Sequence, residues 1–276
     1  MSRFRNLQDR VIIVTGSSRG IGREIARLLL KQGCSVVING RNAEQLERTG
    51  RELTSGLPDT DRSHIAVIPS DVSTEAGARV LIQGALDAFG RIDGLINNAG
   101  VSMRGSIMEL REATVDHLYR GNILASVLPT VTALPHLRDN GGSVVFVSTV
   151  SALWGFPGVS IYSATKCAVE SFARALDAEF RSVGLRTSIV FLGFVENDPD
   201  KETFAADGSR IKYKRKAHLT QEQAAAAIVG AFWSGKQRVI TIRSGKALDL
   251  LARFLPRVVS YVLSRTGGHF HKVEER

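Results

Sequence analysis

The stretch RVIIVTGSSRGIGREIARLLLKQG, residues 10–33, decides the fold of this chain. A short, β-branched apolar run passes into a turn with three glycines, TGSSRGIG (15–22), and an amphipathic helical run follows. The glycines allow a tight turn, close approach of the backbone to a phosphate, and close packing of the helix on the strand. Because the amino terminus of a helix offers amides and a positive dipole end, the stretch predicts a site for a pyrophosphate anion.

The same alternation of strand and helix continues along the chain. The strand-like runs are short, β-branched and apolar on both faces, and they cover residues 10–15, 35–40, 64–69, 94–98, 142–148, 186–192 and 238–242. Such runs are typical of strands that are covered on both sides of a parallel sheet. We therefore predict an α/β fold with a doubly wound, mostly parallel, seven-stranded sheet and helices on both faces. No linker divides the chain, so a single domain is expected over residues 1–276.

Composition and charge narrow the classes of partner. The 276 residues are 43% hydrophobic and carry a formal net charge of +9. Nucleic acid is the first partner that such a charge suggests. No basic stripe with interleaved aromatic residues and no recognition-helix pattern occurs, so we expect no nucleic-acid partner. The six histidines lack a paired metal-ligand spacing, and we expect no metal site.

The sequence also favours a cytoplasmic location. The first ten residues, MSRFRNLQDR, lack the apolar core of a secretory signal, and no apolar run of about eighteen residues occurs in the sequence. Cys34 and Cys167 stand far apart in the sequence, and we expect both to be reduced, buried thiols.

A second informative stretch is YSATK (162–166), at the start of an alanine-rich helical run. Tyr162 and Lys166 are four residues apart, so a helix stacks them on one face. A free phenol has a pKa of about 10 and is a weak acid–base group near neutrality. A nearby ammonium group favours the phenolate and should lower that pKa toward the working range. The pair predicts a general acid–base for a substrate oxygen.

Together these motifs resemble those of the short-chain dehydrogenase/reductase family, up to the strand-like run at 238–242. Four motifs in order carry the resemblance: TGSSRGIG (15–22), NNAG (97–100), Asn122 and YSATK (162–166). It implies a Rossmann-type domain and hydride transfer between a nicotinamide cofactor and a carbonyl or secondary alcohol. The residues that it implies for cofactor binding are Gly16, Ser18, Arg19, Gly20, Ile21, Gly22, Arg41, Asp71, Val72, Asn98, Ala99, Gly100, Tyr162, Lys166 and Val195.

The same resemblance implies a catalytic set of Asn122, Thr149, Tyr162 and Lys166. In that family the tyrosine protonates the carbonyl oxygen during reduction, and the lysine also holds the nicotinamide ribose. The asparagine positions a water that links the lysine to solvent. Relatives often pair through the helices that carry the asparagine and the tyrosine, so we expect a homodimer or homotetramer.

The hydroxyl that polarises the carbonyl is less closely defined. The family has a serine thirteen residues before the tyrosine, and here that position is Thr149. A threonine hydroxyl can donate the same hydrogen bond, although its methyl group narrows the pocket. Side chains alternate along a strand, so Ser148 and Thr149 should point in different directions. Ser151 is the other alternative, if the loop after the strand bulges.

The end of the second predicted strand favours NADP(H). NAD-binding chains place a carboxylate there, which accepts hydrogen bonds from the ribose 2′-hydroxyl. Here Gly40 holds that position and Arg41 follows it, with Arg19 in the glycine turn as a second cation. Guanidinium groups make charge-assisted hydrogen bonds to a 2′-phosphate, which a carboxylate would repel.

The region after the sixth predicted strand departs from the family pattern. LGFVEN (192–197) has Leu192 where the family has a proline and Asn197 where it has a threonine. Residues 196–218 correspond to a substrate lid, which here is polar and basic. Its row of cations is Lys212, Lys214, Arg215 and Lys216. The row is either a solvated surface or a contact for an anionic partner, such as a phosphopantetheine thioester or a membrane.

Residues 246–265, KALDLLARFLPRVVSYVLSR, predict an amphipathic C-terminal extension. Helical spacing puts apolar residues on one face: Leu248, Leu251, Leu255, Val259 and Val262. The other face carries Lys246, Asp249, Arg253, Arg257, Ser260 and Ser264. Pro256 should divide the segment into two short helices. The apolar face either packs on the domain or a sister subunit, or lies in a membrane interface as a peripheral contact.

Three functions therefore stay open. The first is an NADP(H)-dependent carbonyl/alcohol oxidoreductase, in which Trp154 and Phe156 give the substrate pocket an apolar wall. The second is a reductase of 3-oxoacyl or 3-keto sphingoid substrates. The third is an NADP(H)-binding sensor or scaffold that has lost catalysis, and the departures at Thr149 and Leu192 are in its favour.

Overall fold

The central element of the computed structural model is a seven-stranded parallel sheet with the order β3-β2-β1-β4-β6-β7-β10. The described residues are 10–55, 63–139, 141–198, 201–212 and 216–266. The sheet strands are β1 Val11–Val14, β2 Ser35–Gly40, β3 Ile65–Pro69, β4 Gly94–Asn97, β6 Ser143–Thr149, β7 Arg186–Leu192 and β10 Arg238–Ile240. Six of the seven lie within one residue of the predicted runs and β10 ends two residues earlier than predicted, so the predicted fold class is confirmed.

Helices cover both faces of this sheet. They are α1 Gly20–Lys31, α2 Ala43–Thr54, α3 Glu75–Phe89, α4 Glu112–Leu118, α5 Ala125–Asp139, α6 Ser160–Phe180, α7 Gln221–Ser234, α8 Arg243–Phe254 and α9 Pro256–Thr266. Alternate side chains of β1 enter two separate cores: Val11 and Ile13 belong to one, and Ile12 and Val14 to the other. This is why the strands are apolar on both faces.

The direction of strand order changes between β1 and β4. The chain runs outward from β1 through β2 to β3, and then returns to add β4 on the other side of β1. The loops after β1 and β4 therefore leave the carboxyl edge of the sheet in opposite directions. Open α/β sheets bind their ligands in the crevice at such a switch point. Both the glycine turn and the NNAG motif lie there.

A second, smaller sheet forms outside the first. It consists of β5 Met103–Arg104, β8 Thr203–Ala205 and β9 Arg210–Ile211, in the order β5-β8-β9. β8 pairs in parallel with β5 and antiparallel with β9, so the predicted lid at 196–218 contains a hairpin that is bound to the loop after NNAG. Lys214 and Arg215 of the predicted row of cations lie outside the described residues.

The C-terminal extension contains two helices, as predicted. α8 ends at Phe254 and α9 begins at Pro256, so the proline divides them. No helix in the described ranges is long and apolar enough to span a bilayer.

Cys34 is buried, whereas Cys167 is exposed, and the expectation of two buried thiols was wrong for Cys167 because its side of α6 faces outward. The single-domain assignment stays a proposal.

Candidate active site

The glycine turn after β1 is packed tightly against the NNAG motif after β4. Gly16 has φ +63°, and a Cβ there would lie 2.8 Å from the Cα of Ala99. A Cβ at Gly22 would collide with the carbonyl oxygen of Gly16. The side-chain amide of Asn98 donates to the carbonyl oxygens of Thr15, at 3.0 Å, and Gly16, at 2.9 Å. Neither glycine therefore has room for a side chain, and the two motifs form one unit.

The amino terminus of α1 is open to an anion from the turn side. Arg19, which precedes the first helical residue Gly20, makes no side-chain capping bond, and the first turn of α1 contains no acidic residue. The backbone amides at the amino terminus of α1 thus remain available for a phosphate group. Ile21 in the same turn packs against the core beneath. The arrangement fits the pyrophosphate of a dinucleotide.

An acidic side chain that the sequence did not single out lies beside this turn. Asp198, just after β7, has its Oδ2 atom 3.3 Å from the position of a Cβ at Gly20. Its other oxygen accepts a hydrogen bond of 3.1 Å from the side-chain amide of Gln221. The first residues of the lid region therefore lie beside the glycine turn. The two segments are far apart in sequence, so no local motif could have predicted this contact.

The end of β2 presents two cations and no carboxylate. A Cβ at Gly40 would lie 3.2 Å from the hydroxyl oxygen of Ser18, so the glycine turn and the end of β2 are in contact. Arg41 and Arg19 are both exposed, one at the end of the strand and the other in the turn.

Two more basic side chains, which the sequence analysis missed, belong to the same region. Burial lowers the pKa of His117, and the charges of Arg41 and Arg210 lower it further. The His117 ring lies 4.3 Å from the ring of Phe204 on β8, and the guanidinium of Arg210 on β9 covers that ring. The lid hairpin therefore brings Arg210, in addition to Arg19 and Arg41, to the side of the site where Arg41 lies.

Asp71 and Val72, which the resemblance predicts to bind the cofactor, follow β3 next to the end of β2. The backbone amide of Ser70 donates to the carbonyl oxygen of Gly40, at 3.1 Å, and the Asn39 side chain donates to the Ser70 hydroxyl, at 2.9 Å. These bonds hold Asp71 and Val72 beside the end of β2. Asp71 accepts from the backbone and hydroxyl of Ser73, and Val72 is buried.

The phenol of Tyr162, in the first turn of α6, is hydrogen-bonded to the hydroxyl of Thr149 at the end of β6. Burial raises the pKa of Tyr162 to about 12, and the hydrogen bond to Thr149 opposes that rise. The sequence had predicted a lowered pKa. The direction is opposite, because the loss of solvation outweighs the hydrogen bond with Thr149.

Lys166, one turn further along α6, is buried beside β6. Its ammonium group donates to the carbonyl oxygen of Val147, at 3.0 Å, and burial lowers the pKa of Lys166 to about 8. A Cβ at Gly100 would lie 3.2 Å from the Lys166 nitrogen and 2.9 Å from Oδ1 of Asn122. Gly100 of the NNAG motif therefore lies between the lysine and the asparagine, and a larger residue would displace one of them.

Asn122 lies in a π-helical segment, Tyr119–Leu124, between α4 and α5. Its side chain accepts from the amide of Val101, at 2.9 Å, and donates to the carbonyl of Val101 and the hydroxyl of Thr165, both at 3.0 Å. A Cβ at Gly121 would lie 2.7 Å from Val101, so the glycine permits this close approach. Single π turns of this kind occur often at functional sites. The side chain of Asn122 fixes the segment after NNAG.

The three hydroxyls near the end of β6 have different surroundings. Ser148 is buried, and its oxygen has no hydrogen-bond partner among the described residues. The hydroxyl and the backbone amide of Ser151 donate to the Thr149 hydroxyl, at 3.4 and 3.3 Å. The geometry thus gives Thr149 the direct contact with Tyr162 and places Ser151 behind it.

The sequence profile of the short chain dehydrogenase family matches residues 10–208, which is the part of the chain that contains all of these contacts except those of Arg210 and Gln221. This match covers well over half of the chain. The chain belongs to the short-chain dehydrogenase/reductase family. The predicted resemblance is confirmed, and the chain is therefore an oxidoreductase of a family that uses nicotinamide cofactors.

Individual members of the short-chain dehydrogenase/reductase family show the extent of the similarity. Dehydrogenase/reductase SDR family member 7B of Mus musculus is 29% identical over 269 residues, 97% of this chain and 80% of the relative. The 11-beta-hydroxysteroid dehydrogenase-like 2 of Arabidopsis thaliana is 29% identical over 266 residues, 94% of this chain and 82% of the relative. A short-chain dehydrogenase/reductase from Burkholderia phymatum in complex with NAD has a similar fold, with a TM-score of 0.78 at 20% identity, over 92% of this chain and 96% of its own.

The segment after β7 shows how this short-chain dehydrogenase/reductase replaces the family's usual residues. A Cβ at Gly193 would lie 2.7 Å from Ile242, so the glycine is needed although Leu192 stands before it. Val195 forms a bridge with Leu219, where the chain returns from the lid. That bridge fixes the backbone of Val195, which the resemblance predicts to bind the cofactor. In the described part of the chain, no group of three His, Cys, Asp or Glu side chains is placed to hold a metal ion.

The two shifted pKa values predict the pH dependence of reduction. Tyr162, with its pKa raised to about 12, stays protonated through neutrality and can donate its proton. Lys166, with its pKa lowered to about 8, loses its charge above that pH and no longer stabilises the phenolate that forms. We expect kcat/KM for NADPH in carbonyl reduction to be level below pH 8 and to fall above it.

This dependence can be checked by measuring initial rates between about pH 6 and pH 10. Lys166→Arg, which keeps its charge over the whole range, should move the alkaline fall to higher pH. A reduction rate that rises steadily from pH 8 to pH 10 would contradict the role given to the two groups.

Proposed function

We propose that this chain is an NADP(H)-dependent oxidoreductase that transfers a hydride between the nicotinamide and a carbonyl or secondary alcohol on an apolar substrate. The observation that carries the proposal is the hydrogen bond between the Tyr162 phenol and the Thr149 hydroxyl, with the Lys166 ammonium on the same face of α6. Two hydroxyls that share a hydrogen bond at the mouth of a cofactor crevice can both point at one substrate oxygen.

In reduction, each of these residues has a separate task. Thr149 donates a hydrogen bond to the carbonyl oxygen and polarises it, and Tyr162 transfers its proton to that oxygen. Lys166 then stabilises the phenolate electrostatically. A bound nicotinamide supplies the hydride. Asn122 is assigned a positioning role, because both polar ends of its side chain are engaged by Val101 and Thr165.

The assignment of NADP(H) is supported by Gly40, Arg41 and Arg19. No carboxylate stands at the end of β2 to accept from a ribose 2′-hydroxyl, and both arginines are exposed beside it. Arg210 and His117 add positive charge or hydrogen-bond donors nearby. The NAD bound to the Burkholderia structure is a property of that protein, whose 20% identity informs on the fold alone.

The cofactor preference can be tested with Arg41→Asp. The substitution replaces an attractive charge by a repulsive one, and NADPH affinity should fall by about a hundredfold while NADH affinity stays similar or improves. Titrating the wild type and the variant with both cofactors measures the change. Arg48→Asp, on the exposed side of α2, is the matched control and should leave both affinities unchanged. A wild type that prefers NADH would contradict the assignment.

The substrate is proposed to be apolar because Trp154 and Phe156 are both partly exposed in the segment that joins Thr149 to Tyr162. The hydroxysteroid dehydrogenase-like name of the Arabidopsis relative is consistent with such a substrate. The narrower candidate, a reductase of 3-oxoacyl or 3-keto sphingoid substrates, is consistent with the same aromatic residues and with the basic lid. A cytoplasmic homodimer or homotetramer remains part of the proposal.

NADPH consumption against a panel of carbonyl compounds, graded by chain length and polarity, tests the proposed function. We expect turnover that increases with the apolar length of the substrate. A non-catalytic sensor or scaffold, the function of another class, would bind NADPH and consume none with any compound of the panel.

A further inference from the structure

The helices α8 and α9 carry a continuous set of exposed apolar side chains. Between 42% and 74% of each of seven large side chains is accessible to solvent: Leu250, Leu251, Phe254, Leu255, Val258, Tyr261 and Val262. They make up half of the fourteen large apolar side chains that are exposed among the described residues, yet they occupy thirteen consecutive positions. Monomeric proteins rarely expose a contiguous apolar surface of this kind without a use for it.

The way in which α8 is attached explains why these side chains face outward. Asp249 forms a two-pronged ion pair with Arg238 on β10, with distances of 2.6 and 2.8 Å. Gly245 packs against Val150, to which a Cβ would come within 2.8 Å. The polar Asp249 and the small Gly245 thus face the protein. The predicted polar face was wrong at Asp249, because the ion pair turns this side chain toward the protein. Of the predicted apolar face, Leu251, Leu255 and Val262 are exposed, whereas Val259 is buried.

Helix α9 also has few buried side chains. Val259 is its one buried large apolar side chain in the described range, with 5% of its surface exposed. Val258, Tyr261 and Val262 of this helix are exposed to solvent.

The exposed charged side chains of α8 and α9 are all of one sign. Five exposed cations border the apolar surface: Arg243, Lys246, Arg253, Arg257 and Arg265. The one acidic residue between 243 and 265 is Asp249, which is already paired with Arg238. The surface is therefore apolar in the middle and basic around it. That combination matches a bilayer whose headgroups are anionic and whose acyl chains begin a few ångströms below.

A second copy of the chain is a poorer match for the same surface. A two-fold interface places the same patch on both subunits, so each set of five cations would approach its own copy. Repulsion between like charges opposes that arrangement, whereas anionic lipid neutralises all of them.

We propose that the surface formed by α8 and α9 binds anionic membranes, with Phe254 and its apolar neighbours in the headgroup–acyl boundary and the arginines at the phosphates. The contact between Gly245 and Val150 places the beginning of α8 against the residue that follows Thr149. A chain bound in this way holds its reactive hydroxyls near the bilayer, where apolar carbonyl compounds partition. Membrane binding itself does not depend on the proposed reduction.

Flotation of the full-length chain with lipid vesicles tests this proposal. Vesicles of phosphatidylcholine with about 30% phosphatidylserine should bind the chain at low salt, and pure phosphatidylcholine vesicles should bind it at least tenfold more weakly. Raising the salt to about 0.5 M should weaken binding to the anionic vesicles, because screening removes the attraction of the arginines. Full-length chain that ignores anionic vesicles at low salt would overturn the proposal.

Two variants with matched controls separate the apolar and the charged contributions. Leu250→Gln/Phe254→Gln/Val258→Gln should reduce vesicle binding more than tenfold, since three membrane-facing side chains become polar. The control Val80→Gln/Val131→Gln/Val183→Gln changes three equally exposed apolar residues on other parts of the surface and should bind like the wild type. Arg257→Glu/Arg265→Glu should also reduce binding, and Arg48→Glu/Arg79→Glu on α2 and α3 should not.

Circular dichroism and thermal unfolding establish that each variant folds, so the result does not rely on enzymatic activity. Loss of binding in the α8–α9 variants alone supports the proposal. Equal binding by the variants and their controls overturns the proposal. A wild type that binds no vesicles, together with a glutamine variant that changes from oligomer to monomer, overturns it as well. The last outcome would identify the surface as an interface between copies. A chain that binds vesicles but reduces no carbonyl compound would overturn the proposed function and leave this inference standing.

Discussion

Replacing Tyr162 by phenylalanine should lower the turnover of carbonyl substrates by about a thousandfold or more, with NADPH affinity changed only a few-fold. The variant keeps the aromatic ring in the first turn of α6 and removes one oxygen atom. That oxygen is the proton donor and also the partner of the Thr149 hydroxyl. Because Lys166 bonds to the carbonyl of Val147 and not to the phenol, its position and its contact with the cofactor should survive the change.

The control for this experiment is Tyr261→Phe, which removes the same atom from an exposed tyrosine of α9. It should leave kcat and cofactor affinity unchanged. Retention of more than about a tenth of the wild-type activity by Tyr162→Phe would show that another group provides the proton.

The second large effect is expected at Thr149. Thr149→Val preserves the shape of the side chain and removes the hydroxyl, so kcat should fall by about a hundredfold while NADPH affinity barely changes. Thr149→Ser should remain active, because the hydroxyl and its hydrogen bond to Tyr162 are retained. Steady-state kinetics and fluorescence titration with NADPH give the two quantities.

Ser151→Ala is the informative comparison for Thr149. Ser151 donates to the Thr149 hydroxyl and makes no recorded contact with Tyr162, so its loss should cost only a few-fold in kcat. An active Thr149→Val together with an inactive Ser151→Ala would reverse the assignment of the two hydroxyls.

The fold could be predicted from the sequence because its signals are local. Five of the seven strands of the large sheet, β1, β2, β4, β6 and β7, are buried on both faces and therefore read as short apolar runs. Gly22 is required by a contact within the glycine turn. Tyr162 and Lys166 share a helix face because of the helical repeat alone. The spacing from Tyr162 likewise predicted that Thr149 lies at the end of a strand, and β6 ends at this residue.

The remaining features depend on contacts between distant parts of the chain. β8 pairs with β5 about a hundred residues away, and the Asp198 carboxylate lies beside Gly20, so no local pattern indicates either contact. The outward rotation of α8 follows from the ion pair of Asp249 with Arg238, whereas periodicity alone predicted Asp249 on the solvent side. The direction of the Tyr162 pKa shift depends on burial, which the spacing of two residues does not reveal.

The most direct test of the central claim follows the hydride itself. NADPH that carries deuterium at the reactive C4 position is incubated with the wild-type chain and an apolar ketone from the panel, and the product alcohol is analysed by mass spectrometry. We predict one deuterium on the carbinol carbon of the product, and none above background with Tyr162→Phe over the same period. Bound NADPH that transfers no deuterium to any ketone or aldehyde of the panel would contradict the assignment of this chain as a catalytic oxidoreductase.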